Sequence, residues 1–185
     1  FNYVKRVYSV FKQVLKYGKR MGYINDVSYL DDVILKRPPR TSEEITKARE
    51  KFLSKDELKS FLTSLAKKNQ RVALIFEFQA LTGLRIGELR ALRVQDYNAK
   101  KEHIDVNATL TVNGLRIPPK NEYSARRVQL NKRARHILST FIALNHNRKQ
   151  IMQHYKNDEN YIFVTDGGIP YDSHYLNKIL KSVPS

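Results

Sequence analysis

The residues best suited to chemistry lie in residues 81–92, where an arginine and a glutamate stand three positions apart. Arg85 and Glu88 are flanked by apolar residues that we expect to be buried. A buried arginine is destabilising unless it is paired, and a carboxylate one helical turn away is a suitable partner. One interpretation is an internal ion pair. The other is an anion site, because Arg85 follows Gly83 at a predicted helix N-terminus, where backbone N–H groups and a guanidinium bind anions together.

A second candidate stretch, residues 116–135, is strongly basic. Its single acid is Glu122, against seven cations: Arg116, Lys120, Arg126, Arg127, Lys132, Arg133 and Arg135. We place Lys120 at the top of a β-hairpin, where its ammonium group can reach a phosphate or donate a proton to a leaving oxygen. The alternative is a solvated turn lysine.

The composition indicates a polyanionic partner. Of the 185 residues, 34 are Lys or Arg and 18 are Asp or Glu, so the formal net charge is +16. This charge attracts polyanions, most commonly nucleic acid, and argues against an enzyme for small neutral metabolites. The absence of cysteine excludes disulfides and Cys-based zinc sites. The histidines show no metal-ligand spacing beyond a loose pair, His146 and His154, and no apolar run approaches the ~20 residues that span a bilayer.

The first predicted element is an amphipathic helix from Tyr3 to about Met21. Its apolar residues recur at helical spacing: Val4, Val7, Tyr8, Phe11, Val14 and Leu15. We expect this stripe to pack against another element. A neighbouring stripe carries Lys5, Lys12, Lys16 and Lys19, and residues 1–22 contain no acid. The lysine stripe is either a solvated face or a surface that lies along phosphates.

Residues 23–53 lose this periodicity and contain the pair Pro38-Pro39, which predicts an extended segment that crosses between two domains. Three helices are predicted after this boundary. They cover residues 54–68, opened by a Ser54/Glu57 capping box, residues 71–81, ended by Gly83, and residues 84–94.

After Lys100 the periodicity becomes that of strands. Apolar residues alternate from Ile104 to Val112, and the Asn113-Gly114 pair that follows is the strongest short-range hairpin signal. The second strand covers residues 115–117 and a third covers residues 126–130. The remaining predictions are a helix over 132–154, a short strand over 161–164 and a helix over 172–180 capped by Asp172. The predicted fold class is α+β, mainly helical, with a small three-stranded antiparallel sheet.

Taken together, the two candidate stretches resemble the tyrosine recombinase (phage integrase) family. The first is similar to that family's Thr-Gly-x-Arg-x-x-Glu-x-x-x-Leu box, through Thr82, Gly83, Arg85, Glu88 and Leu92. The second is similar to its Pro-Lys-x-x-x-Ser-x-Arg segment, through Pro119, Lys120, Ser124 and Arg126. The resemblance implies that residues 1–22 are the last helix of a core-binding domain, 23–53 an interdomain linker and 54–185 an incomplete catalytic domain.

The resemblance also implies a site-specific recombinase that cuts and rejoins DNA through a 3′-phosphotyrosine link, with no cofactor and no metal. Arg85 would hold the scissile phosphate, Glu88 would orient the site and Lys120 would protonate the departing 5′ oxygen. The expected DNA contacts are Lys5, Lys12, Lys16, Lys19, Arg116, Arg126 and Arg127. The expected partner is double-stranded DNA, bound by a homo-tetramer of the full-length protein, with no membrane and no small-molecule substrate. A bacterial or phage-encoded protein of the cytoplasm is implied.

The chain departs from the family pattern at its end. The family's His-x-x-Arg box and nucleophilic tyrosine should follow the last predicted helix, and we expect both beyond Ser185. The segment His174-Tyr175-Leu176-Asn177 has asparagine where arginine is required, and it lies too early. This fragment alone is therefore expected to be inactive. Two alternatives stay open: a non-catalytic basic DNA-binding module and, less favoured, a type IB topoisomerase fragment.

Overall fold

The computed structural model describes residues 1–39, 41–49, 52–119 and 125–183. The chain divides into two compact units, Phe1–Leu53 and Ser54–Ser185. The assignment of residues 1–22 to a core-binding domain, and of 23–53 to an interdomain linker, stays a prediction. Among the described residues, no helix is both long enough and apolar enough to cross a lipid bilayer.

The first unit begins with helix α1, Asn2–Arg20, close to its predicted bounds. A short 3-10 turn, Ser28–Leu30, packs on α1, where the Tyr8 hydroxyl donates to the Leu30 carbonyl at 2.6 Å. Most of the predicted apolar stripe of α1, including Val4 and Phe11, is nevertheless exposed within this unit. The packing partner expected for that stripe is therefore not supplied by the described residues of the unit.

The sequence predicts an extended segment over residues 23–53, but part of this segment is helical. Helix α2 covers Ser42–Arg49. Local capping explains this helix, because the Thr41 hydroxyl accepts from the backbone N–H of Glu44 at 3.2 Å and acids occupy the first turn. The prediction of an extended segment relied on the loss of apolar periodicity. It missed α2 because a short exposed helix depends on its caps and not on an apolar stripe.

The second unit opens with three helices. Helix α3, Lys55–Lys68, begins at the predicted Ser54/Glu57 capping box, and helix α4, Gln70–Thr82, ends at Gly83 in the left-handed conformation with φ of 66°. Helix α5 is shorter than predicted and covers only Ile86–Ala91. It stops early because the Asp96 carboxylate accepts from the backbone N–H of Arg93 at 2.9 Å and thereby begins a separate 3-10 turn.

Five short strands follow and form two antiparallel sheets. They are β1, Tyr97–Asn98; β2, His103–Val106; β3, Thr109–Leu110; β4, Arg116–Ile117; and β5, Arg126–Gln129. The first sheet has three strands in the order β1-β2-β5, and the second is the β3-β4 hairpin, which turns through Gly114 with φ of 77°. The predicted fold class is confirmed, but the predicted strands divide between two sheets instead of forming a single three-stranded sheet.

The single strand predicted over residues 104–112 is wrong. The chain leaves β2 after Val106 and begins β3 at Thr109, so the two halves of the alternating segment belong to different sheets. At the break, the Asn107 side chain donates to the Asp96 carboxylate at 2.9 Å. Apolar alternation persists across the break because both halves bury one face, and so the pattern by itself does not reveal the break.

Two helices complete the second unit. Helix α6 covers Lys132–Ile151, and helix α7 covers Ser173–Lys181 with the predicted Asp172 cap. Between them, the strand predicted over 161–164 is replaced by isolated bridges from Tyr161 and Val164. Phe163 nevertheless lies at the centre of the core, with its ring 5.1 Å from that of Phe78 and 5.0 Å from that of Phe141.

Candidate functional site

The start of α5 presents Arg85 at the surface of the second unit. Arg85 is the N-cap residue and comes directly after the chain reversal at Gly83. The Gln79 side chain supports this reversal by donating to the Leu84 carbonyl at 3.0 Å. The Arg85 side chain is 76% exposed although Leu84 and Leu89 beside it are buried. The local fold therefore holds the backbone of Arg85 in place while its guanidinium faces outward.

Glu88 is the buried partner of Arg85. Its side chain is 5% exposed and accepts from the Arg85 backbone N–H and from the Arg85 Nη1, each at 2.9 Å. The internal ion pair and the anion site are therefore compatible interpretations, because Arg85 is ion-paired while most of its side chain is exposed. The helix N-terminus contributes less to an anion site than the sequence predicts, because α5 has only six residues and the backbone N–H of Arg85 already donates to Glu88.

Arg126 reaches the same carboxylate from β5. Its Nη1 donates to Glu88 Oε1 at 3.0 Å and its Nη2 donates to Oε2 at 2.8 Å, which is the two-point geometry of a strong arginine–carboxylate pair. Burial raises the pKa of Glu88, but the hydrogen bonds from Arg126 and Arg85 outweigh burial and lower this pKa to about 2. Glu88 is thus ionised at neutral pH and lies between two guanidinium groups.

Lys120 lies outside the described residues, but the strands on both sides of its segment are described. On the β4 side, Arg116 donates to the Asn107 amide oxygen at 2.6 Å and lies 3.4 Å from the Asp96 carboxylate. Its Nε also donates to the Ala91 carbonyl at 3.4 Å. Arg116, expected to contact DNA, is therefore bonded to residues at and after the end of α5.

Arg127 points away from Arg126, as successive residues of a strand do. It is 61% exposed and pairs with the half-exposed carboxylate of Asp105 at 3.0 Å. An ion pair at such an exposed position contributes little to stability, so it leaves the Arg127 guanidinium available to another anion. Of the three arginines expected to contact DNA, Arg127 is the most exposed.

The lysines of α1 belong to the other unit, and two of them have acidic neighbours. Lys12 pairs with Asp31 at 2.6 Å and Lys19 lies 3.8 Å from Asp26. For Lys5 and Lys16, the described part of the chain offers no carboxylate within 4 Å. The stripe is therefore partly neutralised by acids that follow the helix.

Sequence reasoning missed Arg90, which is buried in α5. Its Nε donates to the Tyr171 carbonyl at 2.6 Å, and its Nη1 donates to the carbonyls of Thr111 at 3.3 Å and Leu110 at 3.5 Å. Burial lowers the pKa of Arg90. Arg90 thus joins α5 to the β3-β4 hairpin and to the residues before α7. The signal available in the sequence was its position between the apolar residues Leu89 and Ala91.

Within the described ranges, no group of three or more His, Asp or Glu side chains is arranged to hold a metal ion. His174 lies on α7, where its backbone N–H donates to the Asp172 cap at 2.7 Å. Among the described residues, no hydrogen bond joins His174 to Arg85 or Glu88.

Comparisons with known proteins identify relatives of this chain. The chain is 33% identical to the "Prophage ps2 probable integrase" of Lactococcus lactis over 88% of its own length and 46% of the relative's. It is 29% identical to the "Integrase" of Staphylococcus phage L54a over 98% of its own length and 55% of the relative's. The chain thus spans about half the length of these curated relatives.

The fold has a counterpart among solved structures. The integrase of the Tn1549 transposon, solved in complex with transposon right end DNA, superposes with a TM-score of 0.66 at 20% identity. The match covers 100% of this chain and 60% of that one. The model of the Phage integrase family matches residues 51–184, a range that contains both Arg85 and Arg126. The chain therefore belongs to the phage integrase family.

Proposed function

We propose that the protein containing this chain is a site-specific DNA recombinase that cuts and rejoins DNA through a 3′-phosphotyrosine intermediate. The observation that carries the proposal is the Arg85 guanidinium, which is exposed yet anchored by the buried carboxylate of Glu88. An anchored guanidinium is preorganised to bind a phosphate and to stabilise the charge that develops at phosphorus during transfer. The family membership of the chain supports the same assignment.

In the proposed reaction, a tyrosine oxygen attacks the scissile phosphorus and the bond to the 5′ oxygen breaks. Arg85 stabilises the added negative charge on the phosphate oxygens, and Lys120 donates a proton to the departing 5′ oxygen. The 3′-phosphotyrosine link conserves the energy of the broken bond, so that a second 5′ hydroxyl can attack it and restore the DNA. We propose that the full-length protein supplies the nucleophilic tyrosine and the His-x-x-Arg box of the family pattern.

Double-stranded DNA is the proposed substrate. Its support is the net charge of +16, together with the solved DNA complex of the Tn1549 integrase. The proposed phosphate contacts are Lys5, Lys16 and Arg127, which are exposed, with Lys12 and Lys19 contributing after exchange of their acidic partners. A homo-tetramer on DNA, acting in the bacterial cytoplasm, completes the proposal and rests on the family resemblance alone.

The test is a covalent trapping experiment with the full-length protein. A nicked suicide duplex should yield a protein–DNA adduct on a denaturing gel, and Arg85→Ala should abolish the adduct. Arg133→Ala is the matched control, because Arg133 of α6 is also an arginine at the surface of the second unit but pairs with Glu77 of α4 at 2.7 Å. The control should form the adduct normally. DNA binding without any adduct would instead favour the non-catalytic binding module.

A further inference from the structure

We infer that Arg126 does not contact DNA but acts through Glu88 as the positioning residue for Arg85. The inference rests on the proposed function, because it concerns how Arg85 is presented to a phosphate. Sequence reasoning had placed Arg126 among the DNA contacts. Its guanidinium is instead directed at a carboxylate of the same unit: Nη1 donates to Glu88 Oε1 and Nη2 donates to Glu88 Oε2.

The geometry leaves Arg126 little capacity for a second anion. The two-point pair directs one N–H of each terminal nitrogen at Glu88, and the side chain that carries the remaining N–H groups is only 33% exposed. Glu88 in turn is buried, so its carboxylate depends on these hydrogen bonds to remain charged. Among the described residues, its salt-bridge partners are Arg85 and Arg126.

The charges explain why this arrangement matters to Arg85. Two guanidinium groups share one carboxylate, so the cluster of Arg85, Glu88 and Arg126 keeps one net positive charge. Since Arg126 is the more buried guanidinium, the excess charge is presented to solvent by Arg85. Without Arg126, the buried Glu88 carboxylate would have only Arg85 to neutralise it, and Arg85 would be drawn toward that pairing and away from an incoming phosphate.

Arg127 provides a natural comparison on the same strand. The burial of β5 alternates, so Arg126 faces Glu88 and Arg127 faces outward toward the exposed acid Asp105. The two neighbours have the same chemistry and belong to the same basic stretch. Arg127 therefore remains a proposed phosphate contact, whereas Arg126 acts through another side chain.

The experiment is a double-mutant cycle on DNA affinity with this chain, using a short duplex at fixed salt. Arg126→Lys preserves charge but cannot form the two-point pair, so we expect a loss of roughly tenfold in affinity. This loss should vanish when Arg85 is already alanine, because no guanidinium is left to position. Arg133→Lys is the matched control and should bind nearly as wild type, because Arg133 pairs with Glu77 and is not among the proposed phosphate contacts.

A second measurement tests the pair of Arg126 and Glu88 in the absence of DNA. An NMR titration of the Glu88 carboxyl should show its pKa rising in Arg126→Lys, because two hydrogen bonds to the charged form are lost while burial remains. A thermal melt confirms that the variant is folded.

The outcomes are distinct. A loss in Arg126→Lys that persists unchanged beside Arg85→Ala would assign Arg126 to DNA and overturn the inference. Wild-type affinity and an unchanged Glu88 pKa in Arg126→Lys would overturn it as well. Failure of the proposed function has a different signature: the wild-type full-length protein would form no covalent adduct with the suicide duplex. Unchanged DNA affinity in Arg85→Ala would overturn only the inference.

Discussion

Gly87 of α5 lies against Thr109 of β3, with no space for a side chain between them. A Cβ atom at Gly87 would lie 2.7 Å from Thr109 Cγ2 and 3.3 Å from the Leu110 carbonyl oxygen. The missing Cβ allows the hairpin to approach the helix that carries Arg85 and Glu88. This contact connects residues 81–92 to β3, whose hairpin partner β4 begins the basic stretch at Arg116.

Gly87→Ala should therefore destabilise the second unit by about 1 kcal/mol, as overpacking exceeds the gain in helix propensity. Thr109→Ser removes the methyl group that the new Cβ would meet, and combining it with Gly87→Ala should recover most of the loss. Urea unfolding of the wild type, both single variants and the double variant measures this coupling. Strict additivity of the two substitutions would show that the contact is not tight.

Glu88 should make the stability of the chain depend on acid pH. Its pKa is lowered from 4.5 to about 2 in the folded state, so the pair stabilises the fold above pH 4.5 and loses that contribution as the pH falls through about 2. A shift of this size corresponds to about 3 kcal/mol. Glu88→Gln has no charge to lose, so urea unfolding should show its deficit shrinking between pH 5 and 2. A deficit that is constant over this range would contradict the assignment.

Arg90→Met should destabilise the second unit by roughly 2 kcal/mol, because the carbonyl groups of Tyr171, Leu110 and Thr111 lose their hydrogen-bond donor. Arg127→Met removes an exposed arginine and should change the free energy of unfolding by only about 0.5 kcal/mol or less. Amide hydrogen exchange in α7 should also accelerate in Arg90→Met. Unchanged stability would mean that the apolar side chain compensates for the lost hydrogen bonds.

Lys120→Ala in the full-length protein should slow cleavage of an ordinary phosphodiester and leave DNA affinity nearly unchanged. A substrate with a 5′-bridging sulfur leaves as a thiolate and needs no proton, so it should restore the cleavage rate. Arg85→Ala is the control that this substrate should not rescue, since stabilisation of the phosphate charge is still missing. Equal losses on both substrates would remove Lys120 from the general-acid role.

Several features that depend on neighbours in the sequence were predicted correctly, although the local hydrogen bonds of Thr41 and Asp96 were missed. The capping box of Ser54 and Glu57, the turn at Asn113-Gly114 and the Asp172 cap all involve residues at most three positions apart. The pairing of Arg85 with Glu88 belongs to the same class, because residues three apart in a helix necessarily lie on one face. The +16 charge likewise needs no fold to favour a polyanion.

The partners of the other arginines, Arg126 among them, were decided only by the tertiary structure. Arg126 and Glu88 are 38 residues apart, and nothing in the alternation of β5 indicates that its inward side reaches the carboxylate of α5. The break after Val106 was hidden for a related reason, because apolar alternation continues into β3 although the two strands join different sheets. A sequence shows which side chains carry charge, but distance and burial determine whether a guanidinium faces a phosphate or a carboxylate of its own chain, and both are set by how distant segments pack.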